Sequence, residues 1–322
     1  MVRSSQFMIH FLCSKELLHK KVMGEKDMKK KVRIETIAGY LFILPTLIGF
    51  LVFMVYPLVY SIFLSFWDWE MMRGLEGSTF VGLQNYLNVF KDSYFIDGLT
   101  NNLLMFVIAV PILLLLSLIL ACILNTKIFG RGMMRTAYFM PYITTVAAAA
   151  IVFAALFHDE FGPINAFLRM IGVDNPPGWL ASVDWSMATV GIFWIWRMLG
   201  YCIVLFLAGL QGISKSYYEA ASIDGANAFT KFRYITFPLI SPTTFFLAIT
   251  MGIASFSVFV ETKVMTNGGP GTSSYTLVYM IYNEAFVNYE MGYAAAVGVV
   301  FFAIILVITL FQWVGQKRWV NY

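Results

Sequence analysis

The chain has 322 residues, of which 59% are hydrophobic and 12% are charged, and its formal net charge is +4. A soluble domain of this length carries about a quarter charged residues, and it could not keep so apolar a surface in water without aggregating. The composition therefore excludes an ordinary soluble enzyme, and so small a net charge does not indicate a nucleic-acid partner. The three cysteines and three histidines show no CxxC or HExxH spacing, so we predict neither a disulfide framework nor a metal site.

Six stretches are almost free of charged residues, and each is long enough to cross a bilayer as a helix, which takes ~20 apolar residues. Lipid cannot satisfy a bare backbone, so each stretch must be helical within the hydrocarbon. The sequence thus predicts an all-α membrane protein with six transmembrane helices and a transmembrane domain over 37–316, between a basic tail 1–36 and a short C-terminus 317–322. The predicted spans lie near 37–66, 100–124, 136–157, 186–213, 238–262 and 291–314.

Lysine and arginine predict the orientation of these spans. Most of the 22 basic residues lie in the N-terminal tail, in the loops 127–135 and 215–233, and at the C-terminus. Cytoplasmic loops carry an excess of such residues. Both termini are therefore expected in the cytoplasm.

The fourth span contains an arginine, Arg197, at a depth where an ionisable group is costly unless it faces the protein interior or a wet cavity. Trp194, Arg197 and Tyr201 follow one another at i, i+3 and i+7, which places them on one face of a helix. An aromatic ring beside polar donors suits a sugar. Simple helix packing, with Arg197 paired to a carbonyl or a carboxylate, is an equally good interpretation.

The loop 214–237, between spans four and five, reads as two short helices joined by a turn. Helix-forming residues precede and follow Gly225, which permits a sharp turn, and Pro238 suits the first turn of the next span. We therefore predict a compact helix-turn-helix that exposes Glu219 and Asp224. An ordinary solvated loop is the alternative.

Ser257 and Glu261 share a face of the fifth span by helical spacing, and we assign both to the same substrate pathway as Arg197. A direct pair between Arg197 and Glu261 is not expected. Arg197 lies roughly 18 Å below the outer end of its span by helix rise, whereas Glu261 lies near the outer end of its own span.

A glycine-rich turn follows the fifth span. Its residues Gly268, Gly269 and Pro270 must form a turn, and we expect this loop to fold back at the outer mouth of the pathway. The outer loops are also rich in Asp and Glu, which fits solvated loops.

The loop 214–237 resembles a family signature: the EAA motif of permease subunits of binding-protein-dependent ABC importers. The motif continues through a glycine to an isoleucine and a proline, and it is matched by Glu219, Ala220, Ala221, Gly225, Ile235 and Pro238. Phe237 stands where the family usually has leucine. Stretches such as Phe80–Tyr86 and Met265–Pro270 are similar to the carbohydrate branch, the maltose and glycerol-3-phosphate type, and the resemblance covers about 37–315. At the end of span five many relatives carry Phe-Asp, where this chain has Phe259, Val260 and Glu261.

The resemblance implies the fold of a type I ABC importer and its assembly in a bacterial plasma membrane. The EAA loop would be a coupling helix seated on an ATPase, and it would contact that ATPase through Glu219, Ala220, Ala221, Asp224 and Gly225. The implied partners are a second homologous permease, two cytoplasmic ABC ATPase subunits, an extracellular solute-binding protein and the lipid bilayer. The resemblance would make the acidic outer loops the docking face for the solute-binding protein. The chain itself would catalyse nothing and bind no cofactor, because ATP and Mg would sit on the ATPase. Its nearest phosphate-loop string, 209–216, has Ser214 in place of the second glycine.

Three alternatives remain at this point. An ion-coupled secondary transporter would need acidic residues buried at the bilayer midplane, and the spans show almost none. A membrane-embedded enzyme would need a motif such as HExxH or GxSxG, which is absent from the sequence. A permease for another solute, such as glycerol phosphate or a peptide, stays open because Arg197 could bind an anion.

Overall fold

A computed structural model describes residues 36–72, 74, 77–126, 129–318 and 320. The basic tail predicted at 1–36 lies outside this range except for its last residue, and so does Lys127 of the predicted cytoplasmic loop. The chain divides into two compact units, Met1–Tyr60 and Ser61–Tyr322. The sites described below belong to the second unit.

The described residues are mostly helical, as predicted. Four helices are long and apolar enough to cross a membrane, and there are up to six candidate spans if each of two bent helix pairs counts as one. In chain order the helices are α1 Thr36–Leu64, α2 Gln84–Val89, α3 Ser93–Asn125, α4 Arg131–Ile143, α5 Val146–Leu156, α6 Pro163–Met170, α7 Ser186–Gly212, α8 Lys215–Ile223, α9 Ala228–Leu239, α10 Ser241–Phe256, α11 Val260–Met265, α12 Leu277–Phe286 and α13 Met291–Gly315.

The first bent pair, α4 and α5, corresponds to the third predicted span. The second pair joins α9, most of which lies in the predicted loop 214–237, to α10, which begins the fifth predicted span. α4 and α5 meet at 99°, and α9 and α10 meet at 61°. Pro242 stands in the first turn of α10, where its missing N–H costs nothing but where it cannot continue the hydrogen-bond ladder of α9. The second bend therefore follows from the sequence.

A two-stranded antiparallel ribbon follows α1, which the sequence did not predict. Its strands are β1 Trp67–Asp68 and β2 Thr79–Phe80, and Trp67 pairs with Phe80. The two rings meet edge to face at 5.5 Å. Strands of two residues leave no periodic signal, which is why the sequence shows only a loop here.

The main core lies where α3, α7 and α10 pack together. Leu113 of α3, Val190 and Phe206 of α7, and Leu247 of α10 are fully buried in one apolar cluster. α4 crosses the outside of α7 at Gly200, where a Cβ atom would run into the carbonyl oxygen of Tyr138. This core fixes α7 as the helix on which the functional residues are arranged.

Candidate translocation and coupling sites

The fifth span is broken between α10 and α11. α10 ends at Phe256 and α11 begins at Val260, with non-helical backbone between them. The carbonyl oxygens freed by the break have partners: Asn102 Nδ2 donates to Phe256 O at 3.1 Å, and Thr276 Oγ1 donates to Val258 O at 2.8 Å. Non-helical backbone at membrane depth is tolerated only where protein or a cavity surrounds it. The break is therefore stabilised by hydrogen bonds to other parts of the fold.

The break brings Glu261 to Arg197. Arg197 Nη2 lies 3.1 Å from Glu261 Oε1, and the two side chains are 13% and 5% exposed. The expectation that these residues would not pair was wrong, because it assumed one straight helix through Glu261. The expectation that Ser257 and Glu261 share a helix face was wrong for the same reason. The alternative in which Arg197 pairs with a carboxylate is the one the structure has.

The pair lines a cavity of about 440 Å³ between α7 and the broken span. Four of the five predicted pathway residues line it: Trp194, Arg197, Ser257 and Glu261. Trp194 is only 1% exposed, so its ring face is covered in this conformation. Ser257 Oγ donates to Ile253 O of α10 at 3.3 Å.

Phe259 is the aromatic residue that sequence reasoning missed at this cavity. It lines the cavity, is half-buried, and packs against Tyr282 with ring centroids 5.1 Å apart. Its position inside the helix break is what turns it toward the pair. No local feature of the sequence indicates the helix break, because the stretch 257–259 contains neither glycine nor proline.

Tyr201, the fifth predicted pathway residue, lies elsewhere. Its ring stacks on Tyr142 of α4 at 5.0 Å. The helical spacing from Arg197 is as predicted, but Tyr201 contacts α4, which crosses α7 at Gly200. Tyr201 therefore belongs to the contact between α4 and α7.

The glycine loop, residues 266–276, contains the predicted residues Gly268, Gly269 and Pro270. Gly268 has φ +84°, and a Cβ atom there would lie 2.7 Å from Tyr279 Cε1. Only glycine fits both the backbone and the space. Ser274 Oγ donates to Gly269 O at 2.9 Å, and Ser273 Oγ donates to Pro270 O at 2.8 Å.

Two asparagines of α3 tie this loop to the rest of the protein. Asn101 Nδ2 donates to Thr272 O at 3.0 Å and to Tyr275 O at 2.9 Å. Asn102 Oδ1 accepts from the backbone N–H of Leu277 at 2.9 Å. Burial raises the pKa of Tyr275 to about 12. The loop is thus held from several sides.

An acidic cluster lies beside α12 and the start of α13. Tyr293 OH donates to Asp92 Oδ2 at 2.7 Å, and Glu284 Oε2 accepts from Asn288 Nδ2 at 2.8 Å. Burial raises the pKa of Glu284 above its ordinary value, the Asn288 hydrogen bond opposes this shift, and the negative charges of Glu290 and Asp92 add to it.

The α8–α9 segment, residues 214–239, forms the predicted helix-turn-helix. Ser214 caps α8, with its Oγ accepting from Ser216 N at 3.4 Å, and Asn227 caps α9, with its Oδ1 accepting from Thr230 N at 2.9 Å. Gly225 makes the turn with φ +77°, and nothing stands within 4 Å of where its Cβ would be.

The motif residues of this segment are accessible. Glu219, Ala220, Asp224 and Gly225 are exposed, and Ala221 is half-buried. Three large apolar side chains beside them are also exposed: Ile223 at 88%, Phe229 at 74% and Tyr234 at 73%. Exposed apolar groups gathered on a short polar hairpin mark an interaction surface.

Comparison with known proteins places the chain in a family. Residues 78–320 match the family described as the inner membrane component of binding-protein-dependent transport systems. The chain belongs to this family. It is therefore a membrane protein and an ABC transporter permease subunit, a class that works with a solute-binding protein.

Three similar proteins illustrate the relationship. This permease is 36% identical to the arabinooligosaccharides transport system permease protein AraP of Bacillus subtilis (strain 168) over 277 residues, covering 85% of this chain and 86% of AraP. It is 34% identical to the lactose transport system permease protein LacF of Rhizobium radiobacter over 291 residues, covering 89% of this chain and 96% of LacF. A bacterial alginate ABC transporter, solved with an alginate pentasaccharide-bound periplasmic protein, contains a chain of the same fold. The two chains are 22% identical, the TM-score is 0.76, and the match covers 90% of this chain and 96% of that one.

Proposed function

We propose that this permease subunit moves a sugar or oligosaccharide across the membrane in an importer driven by ATP hydrolysis on partner subunits. The observation that carries the proposal is the exposed α8–α9 segment, which presents the EAA residues beside uncovered Ile223, Phe229 and Tyr234. Apolar side chains of this size dock into a partner's pocket. Glu219, which is exposed on the same segment, would pair with a basic residue there.

The partners follow from this surface. Two cytoplasmic ABC ATPases bind ATP and Mg, and one of them seats the α8–α9 segment, so both chain termini lie in the cytoplasm. A homologous second permease completes the pathway. The solute-binding protein docks on the opposite side, near the glycine loop, which its ties to Asn101 and Asn102 keep in a fixed shape.

The cavity supports an uncharged substrate. Its volume of about 440 Å³ falls within the ~300–1,000 Å³ of typical ligand sites. Arg197 is neutralised by Glu261, so the pair offers hydrogen-bond donors and acceptors without net charge. A polyhydroxylated sugar suits such a pair, and Phe259 offers an apolar ring. An anion such as glycerol phosphate would have to displace Glu261 from its partner.

Reconstitution tests the function. The complex of both permeases, the ATPases and the binding protein is placed in liposomes, and import of labelled neutral oligosaccharides and of glycerol phosphate is measured with and without ATP. We expect ATP-dependent import of a neutral sugar. Import driven by an ion gradient without ATP would contradict the transport mechanism, whereas import of glycerol phosphate alone would contradict only the substrate.

A double substitution tests the cavity. Arg197→Ala alone leaves Glu261 buried and unpaired, which costs about 3–5 kcal/mol of stability. The double variant Arg197→Gln with Glu261→Gln removes both charges, so we expect this complex to assemble. It should import sugar at least about tenfold more slowly, which corresponds to ~1.4 kcal/mol. Arg169→Gln, at an exposed arginine in the last turn of α6, is the charge control. Normal import by the double variant would make the pair structural.

A further inference from the structure

Two arginines near the start of α4 converge on one side chain near the end of α7. With its amide oriented to face them, Gln211 Oε1 accepts from Arg131 Nη2 at 3.1 Å and from Arg135 Nη2 at 3.2 Å. The Nε atoms of both arginines are buried and have no hydrogen-bond partner. A single neutral amide therefore holds two positive charges together.

These charges lack an anion within the part of the chain that the structure describes. The ion pair found there joins Arg197 to Glu261, and none of the described carboxylates pairs with Arg131 or Arg135. Two partly buried cations side by side repel each other and have lost part of their hydration. Guanidinium groups bind phosphate and carboxylate in a fork geometry. The site is thus suited to an anion.

An apolar groove begins at one of these two arginines. Arg135 stands at one end of a groove of about 590 Å³ between α4 and α7, and the other lining residues are Thr136, Phe139, Met140, Ile143, Thr144 and Val204. From Arg135 to Thr144 is nine residues of helix, or ~14 Å by the helix rise. That is about half of the ~30 Å hydrocarbon core of a bilayer.

The groove offers almost no hydrogen bonding beyond its charged end. Thr136 Oγ1 donates to Gly132 O at 3.1 Å, and Thr144 Oγ1 donates to Met140 O at 3.0 Å, so both hydroxyls are used within their own helix. A sugar needs several polar partners, and this groove lacks them. A hydrocarbon chain needs none.

We propose that this groove binds an anionic phospholipid, with the phosphate between Arg131 and Arg135 and an acyl chain along the groove past Phe139 and Ile143. The orientation rests on the proposed function, which places the arginine end at the cytoplasmic leaflet. Basic residues at that surface attract anionic lipids. Gln211 lies four residues before α8, so the headgroup sits beside the segment that engages the ATPase.

Lipid retention tests the proposal on the purified full-length chain, without ATPase or substrate. Nanodiscs of phosphatidylcholine mixed with phosphatidylglycerol are analysed by native mass spectrometry. We expect phosphatidylglycerol to be retained preferentially. The double variant Arg131→Gln with Arg135→Gln should lower that preference about 30-fold, because each arginine contributes ~1 kcal/mol to the binding of an anionic lipid. Arg131→Lys with Arg135→Lys should keep most of it. Lys91→Gln with Arg169→Gln, two exposed sites, is the charge-matched control.

A third variant tests the acyl chain. Val204→Trp fills the groove without changing its charge, so it should lower retention of phosphatidylglycerol while both arginines remain. Equal retention in all variants would overturn the proposal. Displacement of the lipid by soluble glycerol phosphate would also overturn it, because the arginines would then form a simple anion site. So would variants that lose binding to the second permease while lipid retention is unchanged, because the groove would then be a protein interface. ATP-driven import is measured in a separate experiment. A failure of the transport proposal would therefore change import and not lipid retention.

Discussion

The glycine loop and the α8–α9 segment are both turns built on a glycine with positive φ, yet they are held in opposite ways. The glycine loop is bound by Asn101, which lies 171 residues away from Thr272 in sequence. The hydrogen bonds within the α8–α9 segment join residues much closer in sequence, such as Lys231 to Ser222 and Tyr218 to Thr236. One turn is fixed by the rest of the protein, and the other leaves its surface free for a partner.

This difference fits two mechanical roles in a transporter. A loop that meets a docking protein and borders a pathway must hold its shape, and buried side-chain amides bonded to backbone do that. A segment that transmits movement needs internal rigidity, which the caps at Ser214 and Asn227 supply, together with an accessible surface. The predictions below test this contrast.

The largest effect is expected at Asn102. Asn102→Leu keeps the volume but leaves the carbonyl of Phe256 and the N–H of Leu277 buried without partners. At about 1–3 kcal/mol for each group, the free energy of unfolding should fall by about 4 kcal/mol. Unfolding in mixed micelles measures this. Asn88→Leu, at an exposed asparagine, is the control, and equal losses in the two variants would show that the break is not held by Asn102.

The two glycines provide a matched pair. Gly225→Ala meets only the cost of a left-handed conformation, about 1 kcal/mol, because nothing surrounds its Cβ. Gly268→Ala meets the same cost and a contact with Tyr279 Cε1 at 2.7 Å, so it should lose about 3 kcal/mol. Thermal unfolding of both variants gives the difference of about 2 kcal/mol. A larger loss at Gly225 would reverse the contrast between the two regions.

The smallest effect concerns pH. The pKa of Glu284 is raised in the folded protein, so the folded state binds more protons than the unfolded state between the two pKa values, and stability falls as pH rises through that window. Glu284→Gln should therefore raise the free energy of unfolding at pH 7, by less than about 1 kcal/mol because the side chain is partly solvated. The gain should vanish below about pH 4, where the carboxyl is protonated in both states.

Glu160→Gln, at an exposed carboxylate, serves as the control for this pH series. Unfolding of both variants is followed from pH 4 to pH 8. A stabilisation by Glu284→Gln that grows as pH falls would have the wrong sign and would contradict the role of burial.

Much of the fold was accessible from the sequence, because its signals are local. Long apolar runs predict spans, and Gly225 between helix-forming residues predicts the turn that the structure has. The exposure of Glu219 and Asp224 was also predicted. These features depend on residues within a few positions of one another.

The break in the fifth span could not be predicted in this way. The stretch 257–259 has no helix-breaking residue, and the carbonyls it frees are bound by Asn102 and Thr276, which are remote in sequence. The pairing of Arg197 with Glu261 depends on that break, so it was missed as well. Tyr201 was misplaced because the crossing of α4 over α7 depends on packing that helical spacing does not contain.

The central claim is that the α8–α9 segment couples this permease to an ATPase. Its most direct test is ATP-driven sugar import by the reconstituted complex carrying Glu219→Lys, with Lys317→Glu as a charge reversal at another exposed site. Breaking one charged contact in a buried interface costs about 2–5 kcal/mol. We therefore expect import to fall about 30-fold or more in the Glu219 variant alone, with an unchanged amount of permease in the membrane. Import at the normal rate by Glu219→Lys would contradict the coupling role.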